Sequence, residues 1–474
     1  MLSGQQIERL HKTSLAMLAE AGIRLQHTDL RQALAHRGCR VEGERVWLPR
    51  HLVEETLAQV PSHFTLFDRN GEPALTLGRG CRTASNSGVM PRIFDLDSGE
   101  LRPATLADVA GSARVLDALP RIGILGITLV EATDVLPALA IVKPFETTLR
   151  NTTKPLNGPI PTNGTEAFFA VEIGTAVRGS LEQLAERPFF VPAVCIVSPL
   201  TYPEGLVDAL RCCARAGLPL GVATNPVAGL SAPLTLAGAL AQMHAEVLAT
   251  IVLAYQIQPG LPILYKGSFS VAEMRTMAVM GGQPEVGLAK ATAVSLAKHC
   301  GLPVTGYGLT TMAKQPGFQL GYEKAAHGVL CAQAGPDVLS CIGNAATGMI
   351  ASYEALLLEH ELVGVLWRIV DSVQVDADTL ALQTVCDLMA GQDLWTHPHT
   401  VAHLRDGSRW QPTLGQELLP EDWLALGQPD IVEQARTQVR RLLKEHVPPP
   451  LAPQADARLT EVMGRAEAVI RRHK

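Results

Sequence analysis

Apolar residues in this chain come in short unbroken blocks, and each block is followed by a stretch in which they recur every three or four positions. The plainest case is Leu302 to Tyr307, opened by Pro303 and closed by Gly306 and Gly308, which reads as a buried strand. Residues 309–316 read as a loop, and from Gly317 onward Phe318, Tyr322, Ala325, Ala326 and Leu330 repeat at helical spacing. The same order recurs from Cys81. The pattern predicts strands over 82–87, 122–129, 155–159, 189–197, 218–224, 261–266, 302–307 and 338–342, each followed by a helix. Three of them are announced by Gly-Leu-Pro, at 217–219, 260–262 and 301–303. Strict alternation with short helix-to-strand connections means a parallel sheet, because every crossover must carry the chain back to the same end. Eight units match an α/β fold of the closed (β/α)8 TIM-barrel type. The competing arrangement is an open doubly wound sheet, and the missing Gly-rich fingerprint after the first strand counts against it.

Two regions flank the repeat. Residues 1–80 are expected to form an accessory α+β layer, with amphipathic helices over 3–37 and a hairpin over 64–77 turning at Asn70-Gly71. Residues 81–370 are the expected catalytic barrel. Residues 371–474 form a polar helical extension, broken at Pro448-Pro449-Pro450, that caps the barrel or dimerises.

Composition narrows the class. With 474 residues, 47% hydrophobic and 18% charged, the chain has enough apolar sequence for a large core and is unlike a disordered protein. A net charge of -6 leaves no footprint for nucleic acid. Cysteines 39, 81, 195, 212, 213, 300, 331, 341 and 386 form no CxxC pair, which predicts free thiols and a reduced, cytoplasmic protein. The start, MLSGQQIERLHK, has no apolar signal core, and the helix predicted over 232–257 carries Gln242, His244, Glu246 and Gln256, too polar for a membrane span.

In a barrel of this kind chemistry sits at the carboxyl ends of the strands. Those positions hold Asn86 and Ser87, Thr128 and Glu131, Asn157, Ser198, Thr224 and Asn225, Gly267 and Ser268, Tyr307, Gly308 and Thr310, then Gly343 and Asn344. One acid and no histidine exclude a converging set of metal ligands, a Ser-His-Asp triad and a paired acid and base. Gly267, Gly306, Gly308 and Gly343 either leave room for a bulky partner above the strands or serve tight turns. His397, His399 and His403 have metal-like spacing, but no cysteine or acid completes the set, and they read as a structural loop. Cys212-Cys213 reads as helix packing.

Several segments closely resemble the trimethylamine:corrinoid methyltransferase family. They are Asp95-Leu-Asp-Ser-Gly-Glu with Arg102-Pro-Ala-Thr, and Asn225-Pro-Val-Ala-Gly-Leu-Ser-Ala-Pro-Leu-Thr-Leu-Ala-Gly-Ala-Leu with Ala245-Glu-Val-Leu-Ala. Gly281-Gly-Gln-Pro-Glu-Val and Thr396-His-Pro-His-Thr complete the list. The resemblance implies a (β/α)8 barrel that moves a methyl group from an amine to the cobalt of a separate corrinoid protein, with no corrinoid held tightly by this chain. The stretch around Tyr307 to Thr310 holds only standard residues where the trimethylamine enzymes carry pyrrolysine. That resembles the non-pyrrolysine branch, which implies a quaternary amine such as glycine betaine as substrate. A quaternary ammonium leaves as a neutral tertiary amine, so a site without strong acids or nucleophiles suffices. The chain keeps the family's Thr311, Ala313, Lys314, Gln319, Gly321 and Glu323, but has Met312 and Gly317 where acids are usual, which points to a changed substrate or a lost activity.

Under this resemblance the positioning candidates are Glu131, Tyr307, Gly308 and Thr310. The cationic head is expected over Tyr307, Phe269 and Phe318, each contact contributing about 0.5–2 kcal/mol. A substrate carboxylate would meet Asn86, Asn225 or Lys266, with Asn344 as a further contact. Two other classes compete: a silent barrel that binds quaternary amines, and an aldolase or lyase using Lys266 as a Schiff base. A homo-oligomer is compatible with either.

Overall fold

The computed structural model describes residues 2–405 and 409–472. Eight parallel strands organise it: β1 (Thr83–Asn86), β2 (Leu125–Gly126), β3 (Leu156–Asn157), β4 (Ala193–Cys195), β5 (Leu220–Thr224), β6 (Ile263–Gly267), β7 (Thr305–Gly306) and β8 (Val338–Ile342). Ladders join β2 to β3, β4 to β5 to β6, and β7 to β8. Single parallel bridges, Ala84 to Ile122, Leu156 to Phe190 and Tyr265 to Val304, connect these groups. The last strand returns to the first, with Val338 opposite Thr83 and Leu339 opposite Ala84.

Several strands are shorter than the apolar blocks that encode them, and proline is one reason. Pro155, Pro192, Pro262 and Pro303 stand just ahead of strands or at their first position, where a missing N–H costs least. Their carbonyls still accept from Leu125, Gly221, Leu220 and Tyr265 of the neighbouring strand. The Gly-Leu-Pro signature is therefore a stop followed by a start. Gly217 (φ 70°) and Gly301 (φ 68°) end the preceding helices in the left-handed region, and the proline opens the next strand. The helical segment after β2 divides into a 3-10 turn, Pro137–Leu139, and a helix, Val142–Arg150.

The amino ends of the strands are plugged. The hairpin Phe64–Phe67 with Pro73–Leu77 turns where Asp68 Oδ1 accepts from the N–H groups of Asn70, Gly71 and Glu72. Its Phe64, Leu66 and Leu77 pack against Ile124, Val191, Leu264 and Val338, residues at the starts of or within alternate strands. The N-terminal helix Gly4–Glu20 begins with a reciprocal capping box between Ser3 and Gln6 and buries Ile7, Leu10, Leu15 and Leu18. It lies against the helix Leu236–Ile257. Strand Ile23–Leu25 pairs in parallel with Thr201–Tyr202 beyond β4, so the leading region is tied to the repeat by backbone hydrogen bonds.

Two small sheets rise from the loops at the carboxyl ends. One joins Val227–Ala228, Ser270–Glu273 and Ala278–Met280; the other joins Asn344–Ala345, Ile350–Ala351, Arg92–Phe94 and Leu101–Pro103. The helix Leu236–Ile257 is long and apolar enough to cross a membrane, and 83% of its apolar window is buried within the protein. In the tail, Ile431–Glu445 packs on Tyr353–Val370 and Leu106–Ala118, and Pro453–Arg472 packs on Gly164–Arg178. Between them Val373, Leu382, Met389, Trp395 and Leu419 are exposed.

Candidate functional site

Strand alternation fixes which residues face the interior above the plug. Leu264 packs on the hairpin, so Lys266, two positions later on the same face of β6, stands one layer above it. Its stem crosses Gly221 of β5: a Cβ there would fall 2.8 Å from Lys266 Cδ and 2.8 Å from Ala193 Cβ of β4. Lys266 is buried, and desolvation lowers its pKa to about 8. Its ammonium has no hydrogen-bond acceptor or ion-pair partner among the described residues.

Around this lysine stand groups from the other strands. Cys195, at the end of β4, is its electrostatic neighbour. That thiol is solvent-accessible, yet desolvation raises its pKa, the combination expected in a concave depression. Tyr307, just past β7, is half-buried; desolvation raises its phenol pKa, with added contributions from Cys341 of β8 and from Cys195. Among the described residues, the buried polar atoms without hydrogen-bond partners include Asn157 Oδ1 at the end of β3, Thr305 Oγ1 on β7 and Asn344 Oδ1 beyond β8. Asn344 Nδ2 donates to Ser87 Oγ at 3.4 Å. Unpaired buried polar groups are costly, so a set of them at one end of a sheet marks a place built for something else to bind.

Other expected residues serve the frame. Asn86 is spent between strands: Gly126 N–H donates to its Oδ1 at 2.8 Å, and its Nδ2 donates to the Thr128 carbonyl at 3.1 Å. Phe269 is fully buried in the main apolar core, and Phe318 is 88% exposed on an outer helical face beside Tyr322, so neither stands with Tyr307 around a cationic head. Thr310 accepts from Lys290 Nζ and donates to the Gly281 carbonyl, both at 2.8 Å. Asn225 accepts from Ser270 and links two rim loops, and Glu131 is exposed. The strand-end glycines are not openings. A Cβ at Gly308 would meet Cys331 at 2.6 Å, at Gly306 the Cys331 sulfur at 2.5 Å, at Gly267 the Tyr265 ring at 2.6 Å and at Gly343 the Leu356 side chain at 2.4 Å. These glycines permit close packing against neighbouring side chains, which sequence alone does not distinguish from clearance above the strands.

The motif segments prove to be braces. Arg102 holds Asp95 at 2.9 Å and chelates Asp108 at 2.7 and 2.9 Å, joining a rim hairpin to the first turn of the helix Leu106–Ala118. Glu246 gathers Ser198 Oγ, Thr224 Oγ1, Gln242 Nε2 and the Leu200 N–H, drawing Ser198 and Thr224 toward the helix layer. Glu323 accepts from Thr311 Oγ1, the Met312 N–H and Gln319 Nε2, fixing the loop after β7. Met312 itself receives the Gly281 N–H at 3.4 Å and the Thr347 hydroxyl at 2.7 Å on its sulfur, so both donors are already engaged. Behind β8, Lys324 and Glu359 form a fully buried ion pair at 2.6 Å; Glu359 also takes the Gly343 N–H, and Lys324 donates to the Asn344 carbonyl. That pair sets the position of Asn344 and carries no sequence-level signal.

In the tail, the structure supplies the acid that sequence spacing lacks: Asp378 lies with His399 and His403, while His397 pairs with Asp387.

Fold and site together define an α/β protein with a buried lysine, a phenol and unpartnered amide oxygens at the carboxyl ends of its parallel strands. The family model described as trimethylamine methyltransferase (MTTB) matches residues 1–470, and the chain belongs to that family. Trimethylamine methyltransferase MttB of Desulfitobacterium hafniense (strain DSM 10664 / DCB-2) is 28% identical over 98% of this chain and 93% of its own length. Glycine betaine methyltransferase of Desulfitobacterium hafniense (strain Y51) is 29% identical over 97% and 95%. Among solved structures, the Methanosarcina barkeri monomethylamine methyltransferase (MtmB) shares the fold at a TM-score of 0.53 and 11% identity, covering 94% of this chain and 88% of that one.

Proposed function

We propose that the chain moves a methyl group from a quaternary amine carrying a carboxylate, glycine betaine or a related betaine, to the Co(I) corrinoid of a separate protein, with residues 81–370 as the catalytic barrel. The barrel reading is supported by the pairing of β8 back to β1, and by the layer formed by Ile124, Val191, Leu264 and Val338 from alternate strands. Family membership supports the reaction class.

One observation carries the substrate class: the ammonium of Lys266, a buried residue, has no acceptor among the described residues, and neighbouring strand ends bear unpartnered amide and hydroxyl oxygens. A betaine matches both. Its carboxylate takes the Lys266 charge, and its N-methyl groups present polarised C–H to Asn157 Oδ1, Thr305 Oγ1, Asn344 Oδ1 and the Tyr307 face. The corrinoid supplies the nucleophile. As its bond to the methyl carbon forms, the C–N bond breaks with its electron pair staying on nitrogen, and the amine departs neutral. No proton need move, which is why a pocket without an acid–base pair serves. The work of this chain is to hold one methyl in line and exclude water.

Mixing the enzyme with a Co(I) corrinoid protein and glycine betaine is expected to give methylcorrinoid absorbance. Lys266→Met is expected to lose about 10–100-fold in kcat/KM for betaine, the loss of a charged hydrogen bond, while retaining activity on a quaternary amine that has no carboxylate. An equal loss on both substrates sinks the assignment.

A second reading also rests on Lys266. A lysine with pKa about 8 in a depression is the amine a Schiff-base lyase uses. Borohydride with carbonyl substrates traps Lys266 covalently if that reading holds and leaves it unmodified if the betaine reading holds.

A further inference from the structure

Away from the strand ends, three side chains from three elements converge: His11 on Gly4–Glu20, His244 on Leu236–Ile257, and Cys300 just beyond Pro284–His299. His11 Nδ1 lies 2.9 Å from His244 Nε2, and the Cys300 sulfur lies 3.9 and 3.8 Å from those nitrogens. We propose that these residues form a zinc site that staples the N-terminal helix to the helical layer.

Zinc takes imidazole nitrogen at about 2.0–2.1 Å and thiolate sulfur at about 2.3 Å, so tetrahedral ligands stand about 3.4 Å apart for two nitrogens and about 3.6 Å for nitrogen and sulfur. The triangle here differs from that by a few tenths of an ångström, within side-chain adjustment. The ligand set is also right: imidazole and thiolate suit zinc, whereas carboxylate oxygens suit magnesium or calcium.

Support comes from the atoms behind the ligands. His244 is fully buried, and its other ring nitrogen lies 3.0 Å from the Tyr265 hydroxyl on β6. A histidine ligand ordinarily donates that second N–H to a fixed acceptor, which sets its tautomer and aims the free lone pair. Tyr265 fills this role and leaves Nε2 pointing at His11 and Cys300. His299 packs 5.1 Å from the His11 ring and binds Glu8 at 3.0 Å, walling one side. As the Cys300 sulfur bonds zinc, its thiol proton leaves to solvent. Without zinc, the same nitrogens form a hydrogen-bonded chain from Tyr265 through His244 to His11; the experiment separates the two states.

The full-length protein, stripped with chelator and dialysed against zinc, is expected to retain one zinc per chain by elemental analysis. Cobalt(II) in its place is expected to give a thiolate-to-cobalt charge-transfer band in the near ultraviolet. Cys300→Ser is expected to abolish that band, and His11→Gln, on the half-exposed helix, to weaken binding at least about tenfold. His399→Gln in the tail is expected to change neither. Retention below about 0.1 zinc per chain, a cobalt spectrum without the thiolate band, or binding that follows His399 overturns the proposal.

Discussion

At the scale of single residues, the interior of the site is governed by one charge and the space made for it. Lys266 stands where a leucine or valine would otherwise continue the layer begun by Leu264, and Gly221 supplies the gap its stem occupies. Gly221→Ala places a methyl 2.8 Å from that stem and from Ala193, so the lysine must shift. The expected result is a KM for betaine raised about tenfold with kcat on a carboxylate-free amine little changed, read in steady-state assays at constant enzyme. The pH dependence has a definite sign. Lys266 is charged below about 8 and neutral above it, so betaine binding is expected to weaken as pH rises through that value. Binding of a carboxylate-free amine stays level over the same range, which calorimetry at pH 7 and 9 checks. Lys266 was legible as a strand-end residue of the repeat. Its isolation from any acceptor was not, because partners belong to tertiary structure.

Among elements, what holds the strand ends in register is a set of buried acids on the outer helices. Glu323 and Glu359 each draw a loop at the carboxyl ends toward the helix that follows, and Glu246, on the helix after β5, draws in the loop after β4 through Leu200. The quoted family segments contain Glu246, and the retained positions after β7 include Glu323, whereas Glu359 lies outside both. Thr310 and Asn86 have their polar atoms engaged within the fold, and Gly308 packs against Cys331, which position along the chain does not reveal. Phe269 differs for a related reason: an aromatic just past a strand is equally compatible with an open rim and with the core, and complete burial decides for the core. The Lys324–Glu359 pair gives a test. Lys324→Met leaves Glu359 buried without compensation and is expected to cost about 3–5 kcal/mol of stability. The double variant Lys324→Met with Glu359→Leu is expected to recover most of it in urea unfolding. A double variant as weak as the single one sinks the account.

For the whole molecule, the repeat was legible because apolar blocks and helical periodicity alternate over some 290 positions and each proline marks a beginning. The lengths of individual strands were not, since a two-residue strand such as Leu125–Gly126 owes its limits to a neighbour's amide. The hairpin 64–77 was legible from Asn70-Gly71, though not its destination. By seating Phe64, Leu66 and Leu77 among the strand starts it turns the interior into a cul-de-sac. Under the proposed function, betaine reaches Lys266 from the carboxyl ends of the strands, and a docking corrinoid protein would stand there too. Traffic must then be ordered: amine in first, demethylated amine out last. Dimethylglycine is expected to inhibit competitively against betaine and in mixed fashion against the corrinoid protein, and the reverse pattern would mean that a back door exists.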